Sequence, residues 1–394
     1  MRTDRAVREP LVRSHRASSR LEPSLTLDDL LTRWISARRP VPHTIYTTRL
    51  SVETFKVLIG DLLIKDICLA DMFDFRDMLA LIPSARTREE IATPLEENFR
   101  IWMADRNDRP KLAPTSIKHK VNAIQSLVGL AHAECWIEED RVHGVPTCRI
   151  PQAPYRAFTK DELRAFFALP VFVHRCDELK ELSCIPHSTV RWVCFIGLMT
   201  GARCSEIAQL QTDDIDAIDG VWTIRISELG RNGQPTEKHI KTLTSRRLVP
   251  VHPRLIDLGL LRYVQMQHAQ GQIWLFPVLR PVGGGSRARQ FRGRFLPIIN
   301  KVSRDPRLVF HSFRHAFKDL CRQSGIEDSV NDQLTGQAPP TIGRAYGSGI
   351  DIATLSKVVQ QLNFEFIDWE PILRTVSVLG DSVQQHCVAS ESEE

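Results

Sequence analysis

The residues best suited to chemistry lie in the second half of the sequence. His311-Ser312-Phe313-Arg314-His315 sets a histidine and an arginine three residues apart at a helix start, where they project together and could grip one phosphate from two sides. Phe310, Phe313 and Phe317 supply a stripe to bury beneath them, and His315 reads as a packing or hydrogen-bonding residue of that core. Thr200-Gly201-Ala202-Arg203-Cys204-Ser205-Glu206-Ile207 repeats the spacing with Arg203 and Glu206, so the carboxylate could hold the guanidinium. Such pairs are most often exposed ion pairs, but the apolar run at 193–199 argues for a helix set against a core. Tyr346 lies in Thr341-Ile342-Gly343-Arg344-Ala345-Tyr346-Gly347, whereas the other three tyrosines fall in helical patterns (Tyr46, Tyr263) or a proline-rich stretch (Tyr155). A phenol with an ordinary pKa near ~10 attacks at neutral pH only with cations on the electrophile and a proton acceptor nearby. Without them Tyr346 is a surface residue of an irregular segment.

The elements that must position these residues can be read from periodicity. Leu27, Leu30, Leu31, Trp34 and Ile35 recur at helical spacing behind Thr26 as a cap, and similar patterns cover 44–59, 69–81 and 115–136. Residues 24–145 therefore read as a helical domain, interrupted by an excursion at 84–107 with little periodicity. Pro146, Pro151 and Pro154 mark a linker over 146–158. A capping box, Thr159-Lys160-Asp161-Glu162, opens a second domain over 159–370. Its expected order is a helix through Leu163, Phe166 and Phe167, a His/Cys loop, a helix over 190–198, then a turn into a helix carrying Arg203. Strands follow at 221–226, 239–242 and 247–251, the last two flanking a tight turn. Helices are expected at 255–268, 290–302 and 312–323, with a glycine-rich loop at 283–286 and an apolar stripe of Ile352, Leu355, Val358, Val359 and Leu362. The fold class is mainly α with one small antiparallel sheet, in two domains.

Composition sets wider bounds. A chain of 394 residues exceeds one ordinary core, and 25% charged with 42% hydrophobic residues is that of a soluble protein without a membrane helix. A net charge of +5 permits a nucleic-acid partner without requiring one. Residues 1–23 carry six arginines against three acids and read as a disordered arm, either a solvated tail or a contact to DNA phosphates. The nine cysteines are scattered and odd in number, which favours reduced thiols in a cytosol. His174, Cys176, Cys184 and His187 match no usual zinc spacing and read as loop and core residues. No Gly-x-x-x-x-Gly-Lys-Ser/Thr or Gly-x-Gly-x-x-Gly loop offers a nucleotide cradle.

Taken in order, these motifs resemble the active site of the tyrosine recombinases, the phage-integrase family. Arg203 is similar to the family's first arginine, His311 and Arg314 to its His-x-x-Arg pair, and Tyr346 to its tyrosine. The run Lys241-Thr242-Leu243-Thr244-Ser245-Arg246-Arg247-Leu248-Val249-Pro250-Val251 resembles the family's lysine-bearing hairpin, with Lys241 as the matching lysine and Lys238 as the alternative. Where the family reads Leu-Gly-His, this chain reads Leu334-Thr335-Gly336-Gln337. The resemblance implies a two-domain DNA clamp, with a helical core-binding (SAM-like) domain before an α+β catalytic domain. It implies that Arg203 and Arg314 bind the non-bridging phosphate oxygens while Tyr346 attacks to give a 3′-phosphotyrosine. Lys241 then protonates the departing 5′ oxygen, and His311 assists proton transfer or binds phosphate. A glutamine amide at 337 can donate a hydrogen bond but cannot shuttle a proton, so chemistry is expected to be reduced rather than abolished.

The implied partners are double-stranded DNA at recombination sites, further copies of the chain in a homotetramer, and accessory proteins, with no cofactor, metal or membrane. The setting would be a bacterial cytoplasm, at the nucleoid. Residues 371–394 would carry a helix at 376–388 that docks on a neighbouring protomer, followed by an acidic tail. Three alternatives remain open: a catalytically weak accessory DNA-binding member of the family, a helical scaffold without nucleic acid, and a type IB topoisomerase.

Overall fold

The computed structural model describes residues 21–22, 24–84, 87–104, 109–146, 155–174, 185–240, 242–281, 286–337 and 349–375. Lys241, Tyr346, Cys176, Cys184, the arm up to residue 20, the glycines at 283–285 and the segment 376–388 lie outside the described residues. The chain divides into two compact units, Met1–Gln152 and Ala153–Glu394.

The first unit is helical: α1 (Leu27–Arg38), α2 (Pro42–Leu58), α3 (Leu69–Leu79), α4 (Arg88–Ala92), α5 (Leu95–Ala104) and α6 (Pro114–Ala133). Thr26 caps α1 in a reciprocal box, its Oγ1 accepting from the Asp29 N–H at 3.2 Å while its own N–H donates to the Asp29 carboxylate at 3.0 Å. Leu27, Leu30, Val52, Phe55, Phe75, Val121, Ile124 and Leu127 form the core, with the Phe55 and Phe75 rings edge to face at 5.0 Å. The described part of the excursion, 87–104, is helical. Thr87 and Glu90 form a second capping box, and the Glu90 carboxylate accepts from Trp102 Nε1 at 2.8 Å and Arg109 Nη1 at 2.7 Å. A short helix pair fixed by one carboxylate needs little apolar periodicity, which is why the sequence pattern did not reveal it.

The second unit is built around a helix that solvent barely touches. Of α9 (His187–Thr200), every residue but Ser188 is buried, as expected of a helix whose run at 192–199 is apolar on every side. His187 belongs to this core. Packed about it are α7 (Lys160–Phe167), α8 (Pro170–Val173), α10 (Cys204–Ala208), α11 (Pro253–Asp257), α12 (Leu260–Ala269), α13 (Ala288–Ile299), α14 (His311–Gln323), α15 (Asp328–Thr335) and α16 (Ile352–Gln360). Phe313 lies within 6.1 Å of the Phe158, Phe166, Phe167, Phe295 and Phe310 rings, so the stripe beneath His311 and Arg314 is anchored in an aromatic cluster. Leu355, Val359 and Leu362 are buried, and Ile352 and Val358 pack against them.

The sheet is antiparallel and three-stranded, in the order β1 (Ile215–Ile218), β2 (Val221–Ile226), β3 (Arg247–Pro250). Two expectations are corrected here. No strand forms at 239, 240 or 242: the His239 N–H donates to Gln209 Oε1 at 2.8 Å and its carbonyl accepts from Gln209 Nε2 at 2.7 Å, so a side chain occupies the groups a strand partner would need. The missing strand is β1, joined to β2 through Asp219 and Gly220, both at positive φ (49° and 76°), with Ile218 opposite Val221. An Asp-Gly pair between apolar runs is a strong hairpin signal. The expected helix at 255–268 is two helices, α11 and α12, divided at Leu258 and Gly259.

Among the described residues, Cys68, Cys135, Cys194, Cys204 and Cys321 are free thiols. No three metal-binding side chains gather there, and no helix is long and apolar enough to cross a membrane.

Candidate active site

The sequence expects Arg203 inside a helix, but it occupies the N-cap of α10 in extended conformation (φ −73°, ψ 147°). Gly201 explains the turn. It ends α9 at φ 62°, and a Cβ there would lie 2.8 Å from the Phe317 ring, so the chain leaves α9 sharply and returns as α10. Arg203 is then tied to Glu206 twice: its N–H donates to Glu206 Oε2 at 2.9 Å and its Nη1 to Oε1 at 2.6 Å.

Glu206 is 3% exposed and has another partner, Arg247 of β3, whose Nη2 donates to its Oε2 at 2.9 Å. Burial alone would raise the Glu206 pKa. The adjacent Arg247 and Arg203 guanidiniums outweigh it and hold the carboxyl below its usual range, so it is ionised. Arg247 also donates from Nε to the Leu334 carbonyl at 2.8 Å and from Nη1 to the Ser245 carbonyl at 2.9 Å.

Arg314, on the first turn of α14, is buried and donates from Nη1 to the carbonyls of Gly201 (3.0 Å) and Thr335. Those carbonyls end α9 and α15, where unpaired C=O groups and the negative end of each helix dipole favour a cation. Burial and the nearby Arg203 and Arg247 charges push the Arg314 pKa down to about 10. Gly336, at φ 63°, completes the packing: a Cβ there would lie 2.6 Å from Arg247 Nη1. Arg203 and Arg247 thus share the Glu206 carboxylate while Arg314 rests on carbonyls, leaving an excess of positive charge suited to a phosphodiester.

His311 stands at the start of α14, and its ring meets that of His315 edge to face at 5.0 Å. His315 is half-buried at the site rather than enclosed in the core, because position 315 follows His311 by one helical turn. Burial, then the charges of His315, Arg314 and Arg203, lower the His311 pKa to about 4. His311 is therefore neutral at pH 7 and able to accept a proton. Because its folded value lies below the ordinary ~6.5, the unfolded chain binds the proton first. Its contribution to stability is complete above that pH and is lost as pH falls toward 4. Urea midpoints are expected to decline from pH 7 to pH 4.5, and His311→Gln to remove part of the decline. His252 and His315, whose pKa values burial also lowers, contribute to the remainder, as do carboxyls held below their usual range such as Glu206 and Glu162.

Gln337 follows α15. Its N–H donates to the Asp332 carbonyl at 2.9 Å and its Oε1 accepts from Lys318 Nζ at 2.9 Å. Lys238 is 2% exposed, and its ammonium is spent on Asp214 Oδ1 at 2.6 Å. Sequence reasoning assigned no part to Arg247 or Lys318, nor to the arginines of α13. One signal for the last was available: residues 280–304 hold six arginines, one lysine and no acid. Arg289 and Arg292 are exposed, Arg294 is half-buried, and none has an ion-pair partner among the described residues. The helix packs against α10, beside Arg203.

The phage integrase family model matches residues 174–346. Those residues belong to the phage integrase family. The matched span contains Arg203, Glu206, Lys241, Arg247, His311, Arg314 and Gln337 and ends on Tyr346. Two solved structures are similar in fold to the chain, each with a TM-score of 0.50 and 14% identity. A lambda integrase dimer bound to a COC′ core site is matched over 86% of this chain and 83% of that one. A lambda integrase tetramer bound to a Holliday junction is matched over 81% and 80%. No curated protein matches the chain in sequence. Within the integrase domain, the four described residues that the motifs nominated as catalytic (Arg203, His311, Arg314 and Gln337) gather around the Glu206 carboxylate and the ends of α9 and α15, while Lys241 and Tyr346 lie outside the described residues.

Proposed function

We propose that the protein is a site-specific DNA recombinase that cuts and rejoins duplex DNA through a 3′-phosphotyrosine, serving integration, excision or movement of a mobile element. The observation that carries this reading is the pairing of Arg203 and Arg247 on one buried carboxylate, with Arg314 held on the carbonyls of Gly201 and Thr335 beside a neutral His311, inside the span matched by the phage integrase model.

Arg203 and Arg314 bind the non-bridging oxygens and stabilise the charge that builds in the pentavalent transition state. Tyr346 attacks in line. Its proton passes to His311, whose pKa rises once an anionic phosphate sits beside it. Lys241 protonates the 5′ oxygen; the burial of Lys238 on Asp214 supports that choice between the two lysines. The phosphotyrosine conserves the bond energy, so a 5′-hydroxyl of a second strand reverses the step.

Residues 24–145 act as the core-binding domain and 159–370 as the catalytic domain of a clamp on DNA, and four copies assemble on paired sites. The unpaired arginines of α13 support a DNA face next to the site. Residues 371–394 dock on a neighbouring copy, and accessory proteins assist at the natural site.

Gln337 favours a second reading, an accessory member of the family that binds DNA and cleaves slowly or not at all. A nicked duplex from the DNA flanking the encoding gene distinguishes the two, because loss of the short fragment traps the covalent adduct. An adduct mapped by mass spectrometry to the Tyr346 peptide supports the recombinase; binding without any adduct supports the accessory protein.

A further inference from the structure

We propose that Lys318 is a positioning residue for Gln337, holding the side-chain amide so that its nitrogen, and not its oxygen, faces the phosphate. The inference rests on the recombinase reading above and concerns how this chain manages without a histidine at position 337.

Lys318 follows Arg314 by four residues on α14, which sets the two side chains on one helix face, a turn apart. Its side chain is 13% exposed and lies between two acceptors, Asp332 Oδ1 at 3.0 Å and Gln337 Oε1 at 2.9 Å. An ammonium only donates, so the Gln337 atom facing it must be the oxygen.

The Nε2 hydrogens then point away from Lys318 and have no partner among the described residues. The backbone is fixed too, since the Gln337 N–H bonds to the Asp332 carbonyl and Gly336 lies against Arg247. A glutamine without this anchor rotates about its last torsion, where the two orientations are nearly equal in energy. In half of those orientations it would present an oxygen to an anion. Lys318 removes that alternative.

The test is a double-mutant cycle on single-turnover cleavage of the nicked duplex with the full-length chain. Hydrogen bonds to charged groups set the scale: Lys318→Met and Gln337→Ala are each expected to slow cleavage roughly 10- to 100-fold. If Lys318 acts through Gln337, Lys318→Met adds less than about 2-fold in the Gln337→Ala background, and Lys318→Arg recovers most of the rate. Rates are read at saturating DNA, because Lys318→Met removes one positive charge and should weaken binding somewhat. An equal loss from Lys318→Met with and without Gln337, or no loss at all, overturns the inference.

Lys318→Met also strips Asp332 of its partner, so the contact needs a reading independent of turnover. The Gln337 side-chain NH₂ resonances in the free protein, assigned by their loss in Gln337→Ala, should shift in Lys318→Met; unchanged resonances overturn the inference. A wild-type chain that binds DNA but gives no adduct overturns the recombinase reading, and the inference falls with it. An adduct combined with independent Lys318 and Gln337 effects sinks the inference alone.

Discussion

Tyr346→Phe should abolish the covalent protein–DNA adduct while leaving DNA binding in place. The substitution removes one hydroxyl, and loss of a covalent nucleophile lowers turnover by roughly 10⁴-fold or more. The other three tyrosines are poorer candidates. The Tyr263 hydroxyl is buried and donates to the Leu275 carbonyl at 3.3 Å, and burial pushes its pKa far above the ordinary phenol value. Tyr46 lies on α2 in the first unit and Tyr155 precedes α7, both outside the span that the phage integrase model matches. Denaturing gels of protein incubated with nicked duplex provide the measurement. A retained adduct in Tyr346→Phe would mean that another side chain is the nucleophile, and the alignment of motifs on Tyr346 would be wrong.

The DNA affinity of the same variant carries separate information. The cations near the site remain, so binding and its steep dependence on salt should match the wild type. Loss of binding together with the adduct would point to a folding defect rather than to missing chemistry.

What the sequence made legible follows from how local each interaction is. The caps at Thr26 and Thr159 and the Arg203–Glu206 pair join residues three apart, and each appears in the structure as a contact. The helical stripes were equally legible, because burial of one face repeats at the helix period. Arg247 was not, since its tie to Glu206 spans 41 residues and depends on β3 running beside α10. The carbonyls of Gly201 and Thr335 that hold Arg314 are backbone atoms, which no residue type announces. Lys318 escaped notice for a related reason: its acceptors belong to α15 and the residues after it, and only the packing of α14 against α15 joins them. The strand expected at 239–242 failed because a short β-prone run takes whatever partner the surroundings provide, here the side chain of Gln209.

Glu206→Ala is expected to be among the most damaging substitutions in the integrase domain, although Glu206 touches no DNA in the proposed mechanism. Its carboxylate accepts three charge-assisted or backbone bonds, and both it and the Arg247 side chain are 3% exposed. Removing one member of a buried pair strands the other charge, at a cost of about 3–5 kcal/mol. Arg247 keeps the Leu334 and Ser245 carbonyls, yet the anion bonded to both Arg203 and Arg247 is gone, and Asp332, which acts on Arg314, is left to offset the mutual repulsion of the three. Urea unfolding should show the loss, with Glu206→Gln milder because an amide oxygen still accepts one guanidinium. Cleavage should fall by roughly 10²- to 10³-fold, the scale for losing a preorganised donor, since Arg203 no longer has its orienting partner. DNA affinity should move the other way, because the variant gains one net positive charge beside the phosphate. A stability loss below about 1 kcal/mol would show that solvent, and not this carboxylate, balances the three arginines.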